Sequence, residues 1–191
     1  MIQVLDTEAA QMLLARGKLA CPACGQMMRP WGHARERTVR DLGGTLITVR
    51  PDRALCRGCY VTHVLLDARL LPRRGYAVAL IGKALLGAAF GSGHRPIARE
   101  LAVPDGTVRG WIRGARRSAA QLRIEAIRAV VSLDQDALSA RVLPSELACT
   151  LEHLGTAAML MARHIKLENI HPWAMVNACT RGRLLTAAPA G

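Results

Sequence analysis

Two Cys-x-x-Cys pairs, Cys21-Pro22-Ala23-Cys24 and Cys56-Arg57-Gly58-Cys59, constrain this chain more than any other feature. A sharp knuckle aims the two sulfurs of each pair at one point, and two pairs complete a tetrahedron around one Zn2+ ion. Gly25 and Gly58 permit the close turns such knuckles need. The spacing predicts a structural zinc site with Cys21, Cys24, Cys56 and Cys59 as ligands. Two readings compete with it. Cys-Pro-x-Cys alone resembles a thioredoxin-type redox pair, but that fold needs a helix after the motif, and Met27, Met28, Pro30 and Gly32 do not supply one. Four unrelated buried cysteines are the other reading, and the paired spacing counts against it. His33 and His63 are spare ligands nearby, read as surface or strand histidines because four sulfurs already close the site.

Between the pairs, Arg35, Arg37, Val39 and Leu42 lead to Gly43-Gly44 and then to Thr45-Leu46-Ile47-Thr48-Val49-Arg50, the pattern of a β-hairpin. A third strand is expected at residues 60–65. Residues 4–16 carry a helical pattern in Val4, Leu5, Ala9, Met12 and Leu13. Residues 1–72 therefore read as a zinc ribbon with a short N-terminal helix, and residues 66–75 as the connection to the next unit.

Residues 73–131 read as a helix-turn-helix DNA-binding domain. Tyr76 to Phe90 forms a buried helix in which Gly82 and Gly87 allow tight crossing, and Gly91-Ser92-Gly93 closes it. Ile97, Ala98, Leu101 and Val103 then recur at helical spacing. Pro104 and Asp105 interrupt them and suit the start of a second helix. On a helical wheel Val108, Trp111, Ile112 and Ala115 fall on one side; Gly106, Arg109, Gly110, Arg113, Arg116 and Arg117 fall on the other. That is the pattern of a recognition helix braced by the helix before it, set against the plainer reading of a solvated basic face. Gly106, Gly110 and Gly114 lie one turn apart, each costing about 1 kcal/mol relative to Ala, and would admit either DNA or a packed helix to the backbone. After Arg117 the pattern runs on through Leu122, Ala126, Ile127, Val130 and Val131 as one more helix.

Residues 132–191 read as a helical C-terminal region for packing, dimerisation or partner docking. Ser145 is the expected cap of a helix over 146–166, and Pro172 the start of another to about Thr180. Met159, Met161, Met175 and Trp173 suggest packing surfaces, and Cys149 and Cys179 core positions. Fraying is expected from Ala187. The fold class expected is mainly α with a small β zinc ribbon.

Charge agrees with this division. Of a net +12, residues 73–131 hold 11 basic residues against 3 acidic, whereas residues 132–191 hold 5 of each. The basic excess thus coincides with the helix-turn-helix, as a phosphate-binding surface requires. The longest apolar run, Tyr76 to Phe90, contains Lys83 and is too short to span a membrane. The N-terminus lacks the basic-then-apolar order of a leader, so a cytoplasmic, nucleoid-associated setting is expected. There is no Gly-rich phosphate loop, Gly-x-Ser-x-Gly elbow, His-Glu-x-x-His or convincing carboxylate set, and no enzymatic activity is expected.

The stretch Cys21-Pro22-x-Cys24-Gly25, Trp31-Gly32-His33, Arg37-Thr38-Val39-Arg40-Asp41-Leu42, Val49-Arg50 and Cys56-x-x-Cys59 resembles the zinc ribbon at the N-terminus of certain insertion-sequence transposases. Ile97-Ala98, Leu101, Val103, Thr107-Val108 and Trp111 are similar to the helix-turn-helix of bacterial transposase and regulator families. Residues 1–131 as a whole resemble a group of actinobacterial zinc-ribbon, helix-turn-helix proteins. Those transposases continue into an RNase-H-like catalytic domain that a chain ending here has no room for. The resemblance implies DNA-end or operator binding without strand cleavage, in a mobile-element accessory or transcription-regulator role.

On this reading Thr107, Arg109 and Arg113 face base edges, and Arg73, Arg74, Arg95, Arg99, Arg116 and Arg117 contact phosphates. The expected partner is double-stranded DNA, with a transposase, an integrase or a second copy of the chain beside it. Other classes stay open: an adaptor for a transposase, integrase or RNA polymerase, a non-catalytic subunit of a split recombinase, or an RNA-binding ribbon, the last weakened by few aromatics for stacking.

Overall fold

The computed structural model describes residues 1–138, 141–167 and 169–186; about half of it is helical, beside a small mixed sheet. The fraying expected from Ala187 lies outside the described residues. In chain order the first elements are β1 (Ile2–Val4), α1 (Thr7–Ala15), β2 (Met28–His33), β3 (Arg37–Arg40), β4 (Leu46–Val49), β5 (Asp52–Cys56) and β6 (Thr62–Asp67). The helices α2 (Val78–Ala89), α3 (His94–Leu101), α4 (Asp105–Leu133), α5 (Glu146–His164) and α6 (Pro172–Cys179) come after them.

The four-stranded sheet has the order β1-β6-β5-β2, with β1 parallel to β6 and the rest antiparallel. The hairpin expected around Gly43-Gly44 is β3–β4, with Val39 opposite Ile47 and both glycines left-handed. It is not the hairpin that carries the knuckles. That sheet is made by β2, β5 and β6, and β3–β4 is an insertion packed through buried Val39 on Leu66, Leu70 and Ala77. The pattern over residues 4–16 begins as a strand, because Ile2 to Val4 pair with Leu65 to Asp67 before Asp6 caps α1 through the Ala9 N–H. The strand after the second knuckle starts at Thr62, two residues later than expected, since the chain must first pass through left-handed Tyr60.

Helix α4 is one helix of 29 residues rather than two. No proline interrupts it, and Val108, Trp111, Ala115, Ala119, Leu122, Ala126 and Val130 keep a buried stripe at spacings of three and four throughout. That stripe packs mainly on α5, within one core that runs from Leu71 to Leu185 and takes in all of α2 to α6. Buried hydroxyls tie the layers. Thr150 Oγ1 donates to the Ala119 carbonyl at 3.3 Å, and Ser118 Oγ to that of Leu184 at 3.1 Å. Asn177, fully buried on α6, donates to the carbonyls of Ala68 and Leu70 at 2.7 and 3.1 Å, fastening α6 to the end of β6. Ser145 caps α5 through the Ala148 N–H.

The tightest glycine position is Gly82 of α2, where an added Cβ would run into the Trp173 indole. Gly82→Ala gains about 1 kcal/mol of helix propensity but forces a rigid ring aside, and overpacking of this kind costs about 1–3 kcal/mol. The expected result in denaturant titration is a net loss of stability of up to about 2 kcal/mol. Gly155→Ala on α5, with nothing within 4 Å, should instead stabilise by up to about 1 kcal/mol. Equal responses at the two positions would show that the Gly82–Trp173 contact does not hold α2 to α6.

Candidate functional site

The two knuckles bring Cys21, Cys24, Cys56 and Cys59 together, with all four sulfurs within 4.8 Å of one another. Cys21 follows α1 on the turn into β2, and Cys56 ends β5, so one buried sulfur of each pair is set by the sheet and one exposed sulfur by the knuckle loop. Cys21 Sγ lies 3.8 Å from Cys59 Sγ, and Cys24 Sγ 3.4 Å from Cys56 Sγ. Zn–S bonds of about 2.3 Å in a tetrahedron separate sulfurs by about 3.8 Å, so the donor set fits a tetrahedral, thiolate-bound metal without rearrangement of the chain.

Local electrostatics point the same way. Burial opposes ionisation of Cys56, but the N–H groups of Cys59 and Gly58 and the adjacent thiols outweigh it, and its pKa falls to about 6. At Cys59 the Val61 N–H favours the thiolate, yet burial and three neighbouring sulfurs hold its pKa up at about 12. Thiolates this close repel one another, and a bound cation is what lets all four ionise together.

The residue following each second cysteine is left-handed: Gly25 at φ +75° and Tyr60 at φ +58°. The second knuckle thus turns on Tyr60, and Gly58 serves another need, since a Cβ there would meet the Gln26 side chain at 2.7 Å. His63 is a buried strand residue whose Nε2 lies 3.5 Å from Cys21 Sγ, behind the sulfurs rather than among them. His33 is paired with Asp52 at 2.9 Å. Among the described residues no other group of cysteines, histidines or carboxylates has metal-binding spacing; Cys149 and Cys179 stand apart and half-buried.

The second candidate feature lies on α3 and α4. Pro104 is the N-cap of α4, and Ile97, Ala98, Leu101, Val103, Val108, Trp111 and Ile112 are buried between α2, α3 and α4, with Tyr76 edge-on to Trp111 at 5.1 Å. The arginines are left outside. Arg95, Arg99, Arg109, Arg113, Arg116 and Arg117 are exposed, and Thr107 is half-buried in the first turn of α4. Arg109, Arg113, Arg116 and Arg117 line one hollow of about 550 Å3 together with Ser92, Gly93 and His94 at the start of α3. Arg73 and Arg74 line a different hollow, beside Met1 and Gly182. None of these eight arginines forms an ion pair among the described residues. The glycine row divides: Gly106 and Gly110 face open space, whereas a Cβ at Gly114 would meet the Leu185 carbonyl at 2.7 Å.

One positioning residue has no counterpart among the sequence expectations. Arg40, on the inserted hairpin, donates through Nη1 to the carbonyl of Ala102 at 2.7 Å. Ala102 ends α3 in the left-handed region, at φ +49°, where alanine is strained by about 1–2 kcal/mol. The cysteine-bearing half therefore holds the turn between α3 and α4. The only signal in the sequence is an arginine next to the buried Val39, and nothing local says what it reaches. No helix among the described residues is long and apolar enough to cross a membrane.

No curated protein and no solved structure matches the chain. Residues 21–111, from the first cysteine of the cluster to Trp111 of α4 and a little under half of the chain, match a domain of unknown function, DUF6431.

Proposed function

We propose that this protein binds double-stranded DNA in a sequence-specific manner, with α3 and the first turns of α4 acting as a helix-turn-helix and a structural zinc ion clamping the ribbon that supports it. Arg109, Arg113, Arg116 and Arg117, exposed along one side of α4 and without carboxylate partners among the described residues, carry this reading. Unneutralised arginines at helical spacing are what a polyanion needs, because each phosphate neutralised releases condensed counterions. A major groove about 12 Å wide admits a single helix, and the exposed side of α4 has room for one where Gly106 and Gly110 add no bulk. Thr107, Arg109 and Arg113 are assigned to base edges; Arg116, Arg117, Arg95, Arg99, Arg73 and Arg74 to phosphates. Four thiolates leave zinc no open position, so the metal is structural, and no enzymatic activity is assigned to the protein. The role is that of a transcription regulator or a mobile-element accessory, in the cytoplasm and on the nucleoid.

The test is selection of bound sequences from random duplex DNA by the zinc-loaded protein. A recovered motif is expected, and if two copies bind together its half-sites lie about one helical turn apart. Arg113→Ala should then relax preference at one base pair, by about 1–3 kcal/mol, and leave the others intact. Uniform weakening on all sequences reassigns Arg113 to a phosphate. No motif and no salt-dependent affinity would favour an adaptor that binds proteins instead.

A further inference from the structure

Helices α5 and α6 leave between them a half-open cleft of about 530 Å3, on a face that the DNA-binding reading does not use. Ala158, Met159 and Ala162 of α5 form one wall and Met175 and Val176 of α6 the other, with Ile170 of the connecting segment at one end. A second hollow of about 460 Å3 adjoins it, sharing Gly155, Met159, Pro172 and Val176 and reaching Trp173 and exposed Phe90. Volume and apolar lining are those of a small-molecule site. The methionines suit a flexible aliphatic guest.

Three observations specify the guest. Arg163 and Lys166 stand exposed on the rim with no ion pair among the described residues, so the apolar cleft ends in two cations. Lys166 closes α5 at φ +54°, with the Leu167 N–H donating to the Ala162 carbonyl at 2.9 Å; glycine is the favoured residue in that cap, yet a long cation stands there. Gly155 lies mid-helix with nothing within 4 Å of where its Cβ would be, so the shared wall of the two hollows is left open at a cost in helix propensity.

We propose that this cleft binds a single-chain amphiphile with a carboxylate head, of the class of medium-chain fatty acids, its tail along Met159, Met175 and Val176 and its carboxylate on Arg163 and Lys166. Apolar walls reject a ligand that is polar throughout, and two cations at the rim favour one that is anionic at its end. A second copy fits less well, since a two-fold axis through the cleft would bring like charges together.

The proposal stands apart from DNA binding and is tested without DNA. The full-length, zinc-loaded protein is titrated with decanoate below its micelle concentration, following tryptophan fluorescence and, independently, heat of binding. Saturable binding of one molecule per chain is expected, with decanol at least about tenfold weaker. Gly155→Leu fills the shared wall and favours the helix, so it should abolish binding with thermal stability kept or raised. Arg163→Gln with Lys166→Gln should weaken decanoate about tenfold and leave decanol unchanged. Absence of saturable binding, equal affinity for decanol and decanoate, or indifference to Gly155→Leu would each overturn the assignment. So would a dimer in sedimentation that Gly155→Leu dissociates, which would give the cleft to a second copy.

Discussion

Removal of the metal with a strong chelator is expected to unfold residues 18–65 and to leave the larger helical core standing. The reason is how unequal the core beneath the cysteines and the helical core are in size. The one beneath the cysteines consists of Val4, Ala10, Leu14, Cys21, Met28, Ala54, Cys56 and Leu65, of which two are alanines and two are cysteines of the cluster itself. That is too little apolar area to offset the entropy of ordering five strands and two knuckles. A structural zinc ion contributes about 10–16 kcal/mol of apparent binding energy, far more than such a core can. The helical core, by contrast, buries Leu80, Ile81, Leu85, Trp111, Leu122, Leu147, Leu154 and Met175 and contains none of the four cysteines. Amide exchange should therefore become fast over residues 18–65 on chelation, remain slow in α2, α4 and α5, and recover when Zn2+ is added back. Cys21→Ser and Cys56→Ser, at the buried ligands, should give the chelated state directly. Acidification should do the same, because protons compete with the metal for thiolates and stability is lost as pH falls. Unchanged protection after chelation would mean that the ribbon is held by something other than a metal. A secondary loss is expected only at the turn between α3 and α4, because the Arg40 bond to the strained Ala102 depends on the hairpin being in place.

How much of the fold and the site is legible in the sequence depends on how local each signal is. Cysteines three apart, a glycine pair between β-rich runs and Ser145 three residues before Ala148 are short-range signals, and the cysteine cluster, β3–β4 and the start of α5 lie where those signals put them. Strands β2 and β5 are invisible to such a reading because Met28–His33 and Asp52–Cys56 contain proline, glycine, arginine and cysteine rather than alternating β-formers; they are strands because the knuckles force them side by side. Residue type assigns the knuckle glycine to Gly58, whereas the left-handed position falls on Tyr60, which no propensity scale anticipates. The glycine row in α4 cannot be divided from sequence at all, since only the return of the chain to Leu185 distinguishes Gly114 from Gly106 and Gly110. The same holds for the cleft between α5 and α6. Methionines at helical spacing are compatible with a filled core, and the angle at which two helices meet decides whether space remains.

The second large effect concerns the arginine face. Replacing Arg109, Arg113, Arg116 and Arg117 together by glutamine should lower affinity for the selected duplex by about 10^3-fold at physiological salt, equivalent to about 4 kcal/mol. Two terms add. Losing two bidentate arginine–base contacts costs about 1–3 kcal/mol each and appears only on the selected sequence. Losing two phosphate contacts reduces the slope of log affinity against log salt by about 2 and appears on every sequence. The fold should not suffer: all four side chains are exposed, none has a carboxylate partner among the described residues, and the buried stripe of α4 is untouched. Thermal denaturation of the variant should match the parent, which separates lost contact from lost structure. Arg16→Gln with Arg50→Gln, two exposed arginines of the cysteine-bearing half, are the controls and should change affinity less than twofold or so, through net charge alone. The split between the terms is informative in itself. If the quadruple variant lost affinity on all duplexes equally and the slope fell by about 4, every arginine would be a phosphate contact, and sequence would have to be read elsewhere. If affinity and slope both stayed at parental values, α4 would not be the helix that enters the groove, and the helix-turn-helix reading would fail with it.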